Sequence, residues 1–316
     1  MGGGSKDNTR QRFIQRVRTE RESEVNNMIP LFISSKNRAS QLRLLFESLH
    51  KNSADLFEIT VLFAATNEDY TLGYNKLIEE EIIPDVQWLP EGQCSTPGLF
   101  TEQFYHYLKE NNNIFALMVD DNLLYRKIEM TEDRIQEILD DETFCFSFRL
   151  GENTIVQNHL TRETQQPLDD SDIKEDHAKW SYVDRSDQFE DYAIPFSWDG
   201  VIYRTKDVLD AFDGTDFTIT DHTWAPLPHR TEAYMYQNME KISHKPMMAS
   251  SKHSLIVGMD YNKVINVQSS GGAKFRADEK GLNDLYLKGF VIDLDSMNFS
   301  EMESSHEEVP FKLRKM

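Results

Sequence analysis

Ile114 to Val119 (IFALMV) is an unbroken apolar run that stops abruptly on two carboxylates, Asp120 and Asp121, and an amide, Asn122. A run this short, apolar at every position, fits a strand buried on both faces. Such a strand needs cover on each side, which points to an α/β sheet. Ligands of open α/β sheets collect outside the carboxyl ends of the strands, so Asp-Asp-Asn delivered there suits a hard cation or a polar substrate. The same residue types also cap turns, and the pattern alone leaves both readings open.

The chain around this run keeps a strand-then-helix rhythm. Met28 to Ile33 reads as a first strand and Ser34-Ser35-Lys36-Asn37-Arg38 as the loop leaving it. Ser40 then caps a helix whose Leu42, Leu45, Phe46 and Leu49 fall at i, i+3, i+4 and i+7. Ile59 to Ala65 is a second buried strand, Thr71 to Glu81 a helix and Val86 to Leu89 a short third strand. Phe100, Phe104, Tyr107 and Leu108 mark the helix leading into Ile114. This alternation predicts a mostly parallel central sheet with helices on both faces.

Downstream, Thr131 to Asp140 reads as a helix. Thr143 to Leu150 reads as a strand with Phe144, Phe146 and Phe148 on one face and Cys145, Ser147 and Arg149 on the other. Gly151 to Pro195 shows no sustained period. Its Trp180, Tyr182, Phe189 and Tyr192 suit either a carbohydrate-facing surface or the anchors of a loop. Phe196-Ser197-Trp198-Asp199-Gly200 precedes a strand, Val201 to Arg204. Thr205 caps a helix closed by Gly214, and Thr231 caps another with Glu232 in its first turn. A small helix at Leu282 to Lys288 ends at Gly289, and an acidic tail with His306 follows.

Lys and Arg number 34 against 54 Asp and Glu, a net charge of -20, which argues against gripping nucleic acid by its backbone. An anionic substrate would need a locally positive or metal-bearing pocket. The Ser34 to Arg38 loop offers hydroxyls, an amide and two cations just ahead of a helix, which suits a nucleotide or diphosphate. It holds no glycine, so the Walker and dinucleotide fingerprints are absent. Two cysteines, Cys94 and Cys145, are too few for a disulfide framework or a zinc site and fit a reducing cytoplasm. No stretch has the length of a transmembrane span or the apolar core of a secretory signal, so a cytoplasmic protein without stable membrane insertion is expected. Residues 1–26 read as a flexible charged leader. Arg10, Arg12, Arg16, Arg18 and Arg21, interspersed with Phe13, Ile14 and Val17, leave peripheral association open.

Taken in order, the opening strand with SSKNRASQLRLLFESL, the strand closing on VDDN, the later FSWDGVIYRT and the HRTEAY segment resemble a GT-A type glycosyltransferase. The likeness is closest to the large inverting group that builds surface polysaccharides. It implies a GT-A (nucleotide-diphospho-sugar transferase) fold over 27–262, with 27–128 as the nucleotide-sugar half and 129–262 as the acceptor half. Residues 263–316 would be a C-terminal extension packed on that domain. The implied donor is a nucleotide-diphospho-sugar, with base and ribose near Ser34, Ser35, Arg38, Ala65 and Asn67 and the diphosphate near Asp120 and Asp121. The implied acceptor is a glycan or another hydroxyl. A divalent ion, Mn2+ or Mg2+, would be held by Asp120 and Asn122, with His306 as a further ligand from the tail. Asn122 stands where a second Asp is commonest in the family, a departure that weakens metal affinity. Glu232 would be the general base, with Asp199 as the alternative. The competing expectation is a non-catalytic nucleotide- or glycan-binding module on the same scaffold.

Overall fold

A computed structural model describes residues 28–53, 55–90, 99–110, 113–186, 190–213, 227–262, 272, 275 and 277–316. The chain begins β1 (Ile29–Lys36), α1 (Ala39–Asn52), β2 (Phe57–Ala64), α2 (Glu68–Glu80), β3 (Gln87–Pro90), α3 (Leu99–Glu110) and β4 (Ile114–Val119). After β4 come β5 (Asn122–Leu124), α4 (Glu132–Ile138), β6 (Thr143–Ser147), β7 (Val156–Asn158), β8 (Glu163–Thr164) and β9 (His177–Ser181). The last part holds β10 (Val201–Arg204), α5 (Thr205–Phe212), α6 (Leu227–Gln237), β11 (Met247–Ser251), β12 (Ile256–Gly258), α7 (Glu279–Leu287), β13 (Phe290–Asp293) and β14 (Lys312–Lys315). No described helix is long and apolar enough to cross a membrane.

Eight strands form one sheet in the order β3-β2-β1-β4-β10-β6-β11-β9. The pairings from β3 through β4 are parallel, as is β6 with β11, whereas β10 runs antiparallel to both β4 and β6. The sheet is mainly parallel, as expected, with antiparallel pairings at β10 and at the β11–β9 edge. Alternation along each inner strand divides the core in two. Leu31, Ile33, Ala116 and Met118 pack with Leu42, Leu45 and Ile135 on one face, while Phe32, Phe115 and Leu117 pack with Phe104, Leu108 and Val208 on the other. A third apolar cluster joins Leu123 and Val257 to Leu282, Ile292 and Val309, so the C-terminal residues are built onto the sheet domain.

Several local expectations change. Trp180, Tyr182 and Tyr192 are fully buried in the second core, so they are anchors and not a sugar-facing surface; Phe189 lies outside the described residues. The irregular stretch holding them supplies β9, which pairs with β11 as the sheet's last strand. Its period was hidden because the strand alternates over only five residues, HAKWS, between loops. Phe144 also leaves the face of Phe146. Met247 pairs with Thr143 and Met248 with Cys145, so Phe144 is the extra residue of a bulge and joins the opposite core.

Helix starts differ as well: Thr205, expected as a cap, is the first residue of α5, which has no side-chain cap. Helix α1 starts at Ala39, ahead of Ser40, and has no side-chain cap. Asn67, expected near the ribose, caps α2 by accepting from Tyr70 N. Thr231 does not start a helix: α6 begins at Leu227, where Pro228 suits the first turn, so Glu232 stands a turn further in.

Candidate active site

Because β10 enters the sheet antiparallel, its amino end lies at the same rim as the carboxyl ends of β1, β4 and β6. Side chains from four separate stretches therefore meet there. Ser34 and Ser35 end β1, with Ser34 half-buried and its carbonyl accepting Asp120 N at 3.1 Å. Asn37 takes a left-handed φ of 60°, which an asparagine tolerates, and its amide bonds Thr66 through both polar atoms at 2.9 Å. That pair ties the β1 corner to the β2 corner, where Ala65 is half-buried and Asn67 exposed.

Arg38 and Asp120 form a closed ionic joint beneath this corner. Arg38 Nη1 meets Asp120 Oδ1 at 3.0 Å and Asp121 Oδ2 at 2.7 Å, while Nε and Nη2 donate to the Asn262 side chain and carbonyl at 2.8 and 2.7 Å. Asp120 Oδ2 accepts from Ser35 Oγ at 2.8 Å and Lys36 N at 3.0 Å. Ser35 Oγ lies 2.6 Å from the hydroxyl of buried Tyr74. Burial alone would depress the Arg38 guanidinium, but Asp120 and Asp121 hold it firmly charged. Asp121 is the less covered of the two acids, its side chain 17% exposed against 4% for Asp120. Burial pushes its carboxyl up to about 7; Arg38 opposes the shift, and the nearby charges of Asp120, Asp260 and Asp199 add to it.

Asn122 is also turned inward. Its Oδ1 accepts Val119 N at 3.1 Å and its Nδ2 donates to Asp199 Oδ1 at 3.0 Å. Asp199 is aimed to receive that bond by Gly200, whose φ of 69° is left-handed and whose missing Cβ would stand 2.5 Å from Ile256 Cδ1. Asp199 Oδ2 is shared among Ser197 Oγ at 3.2 Å, Arg149 Nη1 at 3.3 Å and His306 Nε2 at 3.6 Å. Burial alone would raise this carboxyl, yet His306, Arg149, Asn122 and Ser197 together hold it below the usual range.

The far C-terminal segment supplies His306. Gly258 N donates to Ser305 O and Glu307 N to Gly258 O, each at 2.9 Å, fixing the tail beside β12. Gly258 has to be glycine for this contact, since a Cβ there would lie 2.4 Å from His306 Nδ1. The ring sits with Nδ1 3.4 Å from Asp260 Oδ1 and Nε2 3.1 Å from Arg149 Nη1. Burial alone would lower the imidazole, but Asp260 and Asp199 raise it to about 10 against the opposition of Arg149. Glu232, half-buried on α6, accepts Trp198 N at 2.9 Å, and its charge reaches Arg149.

The structure thus brings Asp120, Asp121, Asn122, Asp199, Glu232 and His306 to one rim with Arg38. Arg149 and Asp260 were missed. Among the described residues no three His, Cys, Asp or Glu side chains are placed to hold a metal ion.

No family model matches the chain. A stretch of 112 residues is 29% identical to calcium-binding and coiled-coil domain-containing protein 2 of Macaca fascicularis, covering 32% of this chain and 28% of that protein. Among solved structures the chain is similar to S. aureus TarS, with a TM-score of 0.41 and 13% identity over 71% of this chain and 35% of that one. It is also similar to TarS 1-349, with a TM-score of 0.41 and 12% identity over 74% of this chain and 61% of that one. A third is core-mannan synthase A from Aspergillus fumigatus in its Mn/GDP form, with a TM-score of 0.33 and 10% identity over 70% of this chain and 66% of that one. The chain spans about a third of full TarS and less than a third of the curated relative.

Proposed function

We propose that the chain is a glycosyltransferase that moves a sugar, with inversion, from a nucleotide-diphosphate donor to the hydroxyl of a glycan or similar acceptor. The observation that supports this reading is the convergence of Asp121, Asp199, Glu232, His306 and two arginines at the carboxyl-end rim of the sheet. The base and ribose lie at the β1–β2 end, against Ser34, Ala65 and the Asn37–Thr66 corner, with Asn67 at its edge. Ser35 and Arg38 work one layer below, holding Asp120 and Asp121 in position.

In the transfer the acceptor oxygen bonds to the anomeric carbon as that carbon's bond to the diphosphate oxygen breaks. The nucleoside diphosphate leaves with the electron pair, and a carboxylate takes the acceptor's proton. Glu232 is the better candidate for that carboxylate. Asp199 is held deprotonated by two cationic neighbours and two hydrogen bonds, which makes it a weak proton acceptor. It serves instead to position Arg149 and His306.

The expected Mn2+ or Mg2+ would meet the leaving charge through Asp120 and Asn122. Both Asp120 oxygens and the Asn122 carbonyl already accept hydrogen bonds from the protein. These residues do not fit a cation as they stand, and no step is assigned to one. Incubating the protein with a panel of nucleotide sugars tests the reading. Release of nucleoside diphosphate that is lost in Glu232→Gln, with donor binding retained, supports it. Binding without turnover in the wild type favours the non-catalytic module, and full turnover in Glu232→Gln removes the base assignment.

A further inference from the structure

Burial opposes the Arg149 charge, which Asp191, Asp199 and Glu232 hold in place, yet the donors of the guanidinium are only partly used. Arg149 follows β6, where Ser147 Oγ accepts the backbone N–H groups of Arg149 and Leu150 at 3.2 Å, and it is 5% exposed. A guanidinium offers five donors. Here Nη1 donates to Asp199 and lies beside His306 Nε2, and the buried Nε meets no acceptor among the described residues. An unsatisfied buried donor carries a desolvation penalty that a bound ligand or water relieves.

The imidazole of His306 stands 3.1 Å from Nη1, so two groups that favour positive charge are pressed together at the rim. Asp199 touches both, and Asp260 faces the far side of the ring. The acids fix the orientation of the pair and compensate its charge, so what remains for a ligand is the unmet donor capacity of the guanidinium. The contrast with Arg38 is direct, because Arg38 uses Nε, Nη1 and Nη2 on protein acceptors. The strand carrying Arg149 is separated from β4 only by β10, which places it roughly 10 Å along the rim from Asp121.

We propose that Arg149, assisted by His306, is the cationic seat of the donor's diphosphate, so that the charge of the departing group is met by the protein and binding does not depend on a divalent ion. This inference rests on the transferase reading. A fork of N–H donors suits phosphate oxygens, and a guanidinium stays charged at any working pH.

The test compares a nucleoside with its diphosphate by titration calorimetry, using the uridine, guanosine, adenosine and cytidine series, once in excess EDTA and once in Mn2+. In EDTA the wild type is expected to prefer one diphosphate over its nucleoside by about tenfold or more, the range for hydrogen bonds to a charged group. Arg149→Lys, which keeps the charge but loses the fork, should lose most of that preference while nucleoside affinity is unchanged. His306→Gln should lose a smaller part of it. If Arg149→Lys does not fold, His306→Gln in EDTA decides, and an undiminished diphosphate preference there overturns the inference. A diphosphate preference that exists only in Mn2+ overturns the inference and leaves the transferase reading standing. Failure of every nucleoside, diphosphate and nucleotide sugar to bind in either buffer overturns both.

Discussion

Two arginines stand at the same rim, each against an aspartate, and their surroundings differ. Arg38 is closed: three of its nitrogens reach Asp120, Asp121 and both polar groups of Asn262, and Asp120 is in turn bonded by Ser35 and Lys36 N. Arg149 is open: one nitrogen donates to Asp199 and lies beside His306, and its Nε meets no acceptor among the described residues. Identical chemistry therefore serves two ends. A saturated buried pair fixes the shape of the β1–β4 rim, whereas an unsaturated one holds donors ready for a ligand. The difference follows from chain connectivity, since Arg38 and Asp120 lie just past the ends of adjacent parallel strands and the Arg149 group depends on a tail segment laid over Gly258.

The strongest way to break this comparison is at the closed end. Arg38→Ala leaves Asp120 buried without its partner, and about 3–5 kcal/mol of stability should be lost in denaturant unfolding. Arg149→Ala, with fewer bonds to lose, should be milder. If Arg149→Ala were the more damaging of the two, the roles assigned here would be reversed. Next in size is Gly258→Ala. Its Cβ collides with the His306 ring, and the expected loss is about 1–3 kcal/mol with faster amide exchange in residues 302–309. His306→Ala in the same chain should relieve most of it, and a failure to do so would show that the ring is not what Gly258 accommodates.

Asn122→Asp restores the Asp-any-Asp pattern and sharpens the comparison further. It sets a carboxylate against Asp199 in place of a donated hydrogen bond, so a loss of about 1–2 kcal/mol is expected at pH 7. A gain of thermal stability on adding Mn2+ that is seen already in the wild type would contradict the inward role of Asn122. The smallest effect concerns pH. His306 has a folded value near 10, above its unfolded 6.5, so its contribution is complete below pH 6.5 and fades as the pH rises through about 10. Wild type minus His306→Gln stability should shrink over that window, and a flat difference would count against an ion pair with Asp260 and Asp199.

Much of the fold was legible because it is local. The apolar run before Asp120, the periodic helix after Arg38 and the strand before Thr205 each carry their signal within a few residues. The bulge at Phe144 and the edge strand β9 were not, because both depend on pairing with β11, about a hundred residues away at the extreme. The start of α6 could have been found from Pro228, which marks a first turn more firmly than Thr231. The site divides in the same way. Asp120, Asp121 and Asn122 announce themselves at a strand end, but nothing near Arg149 shows that β10 will carry Asp199 to it. Nor does the sequence show that Asp260 and His306 will complete the group. Chemistry assembled from four stretches is visible only when the strand order is known.

The most direct measurement is a crystal soaked with the preferred nucleoside diphosphate in the presence of EDTA. The account predicts phosphate oxygens within hydrogen-bond distance of Arg149, the nucleoside toward Ser34 and Ala65, and the Arg38–Asp120 bridge unchanged. A diphosphate that displaces Arg38 from Asp120, or that binds away from this rim, would contradict it.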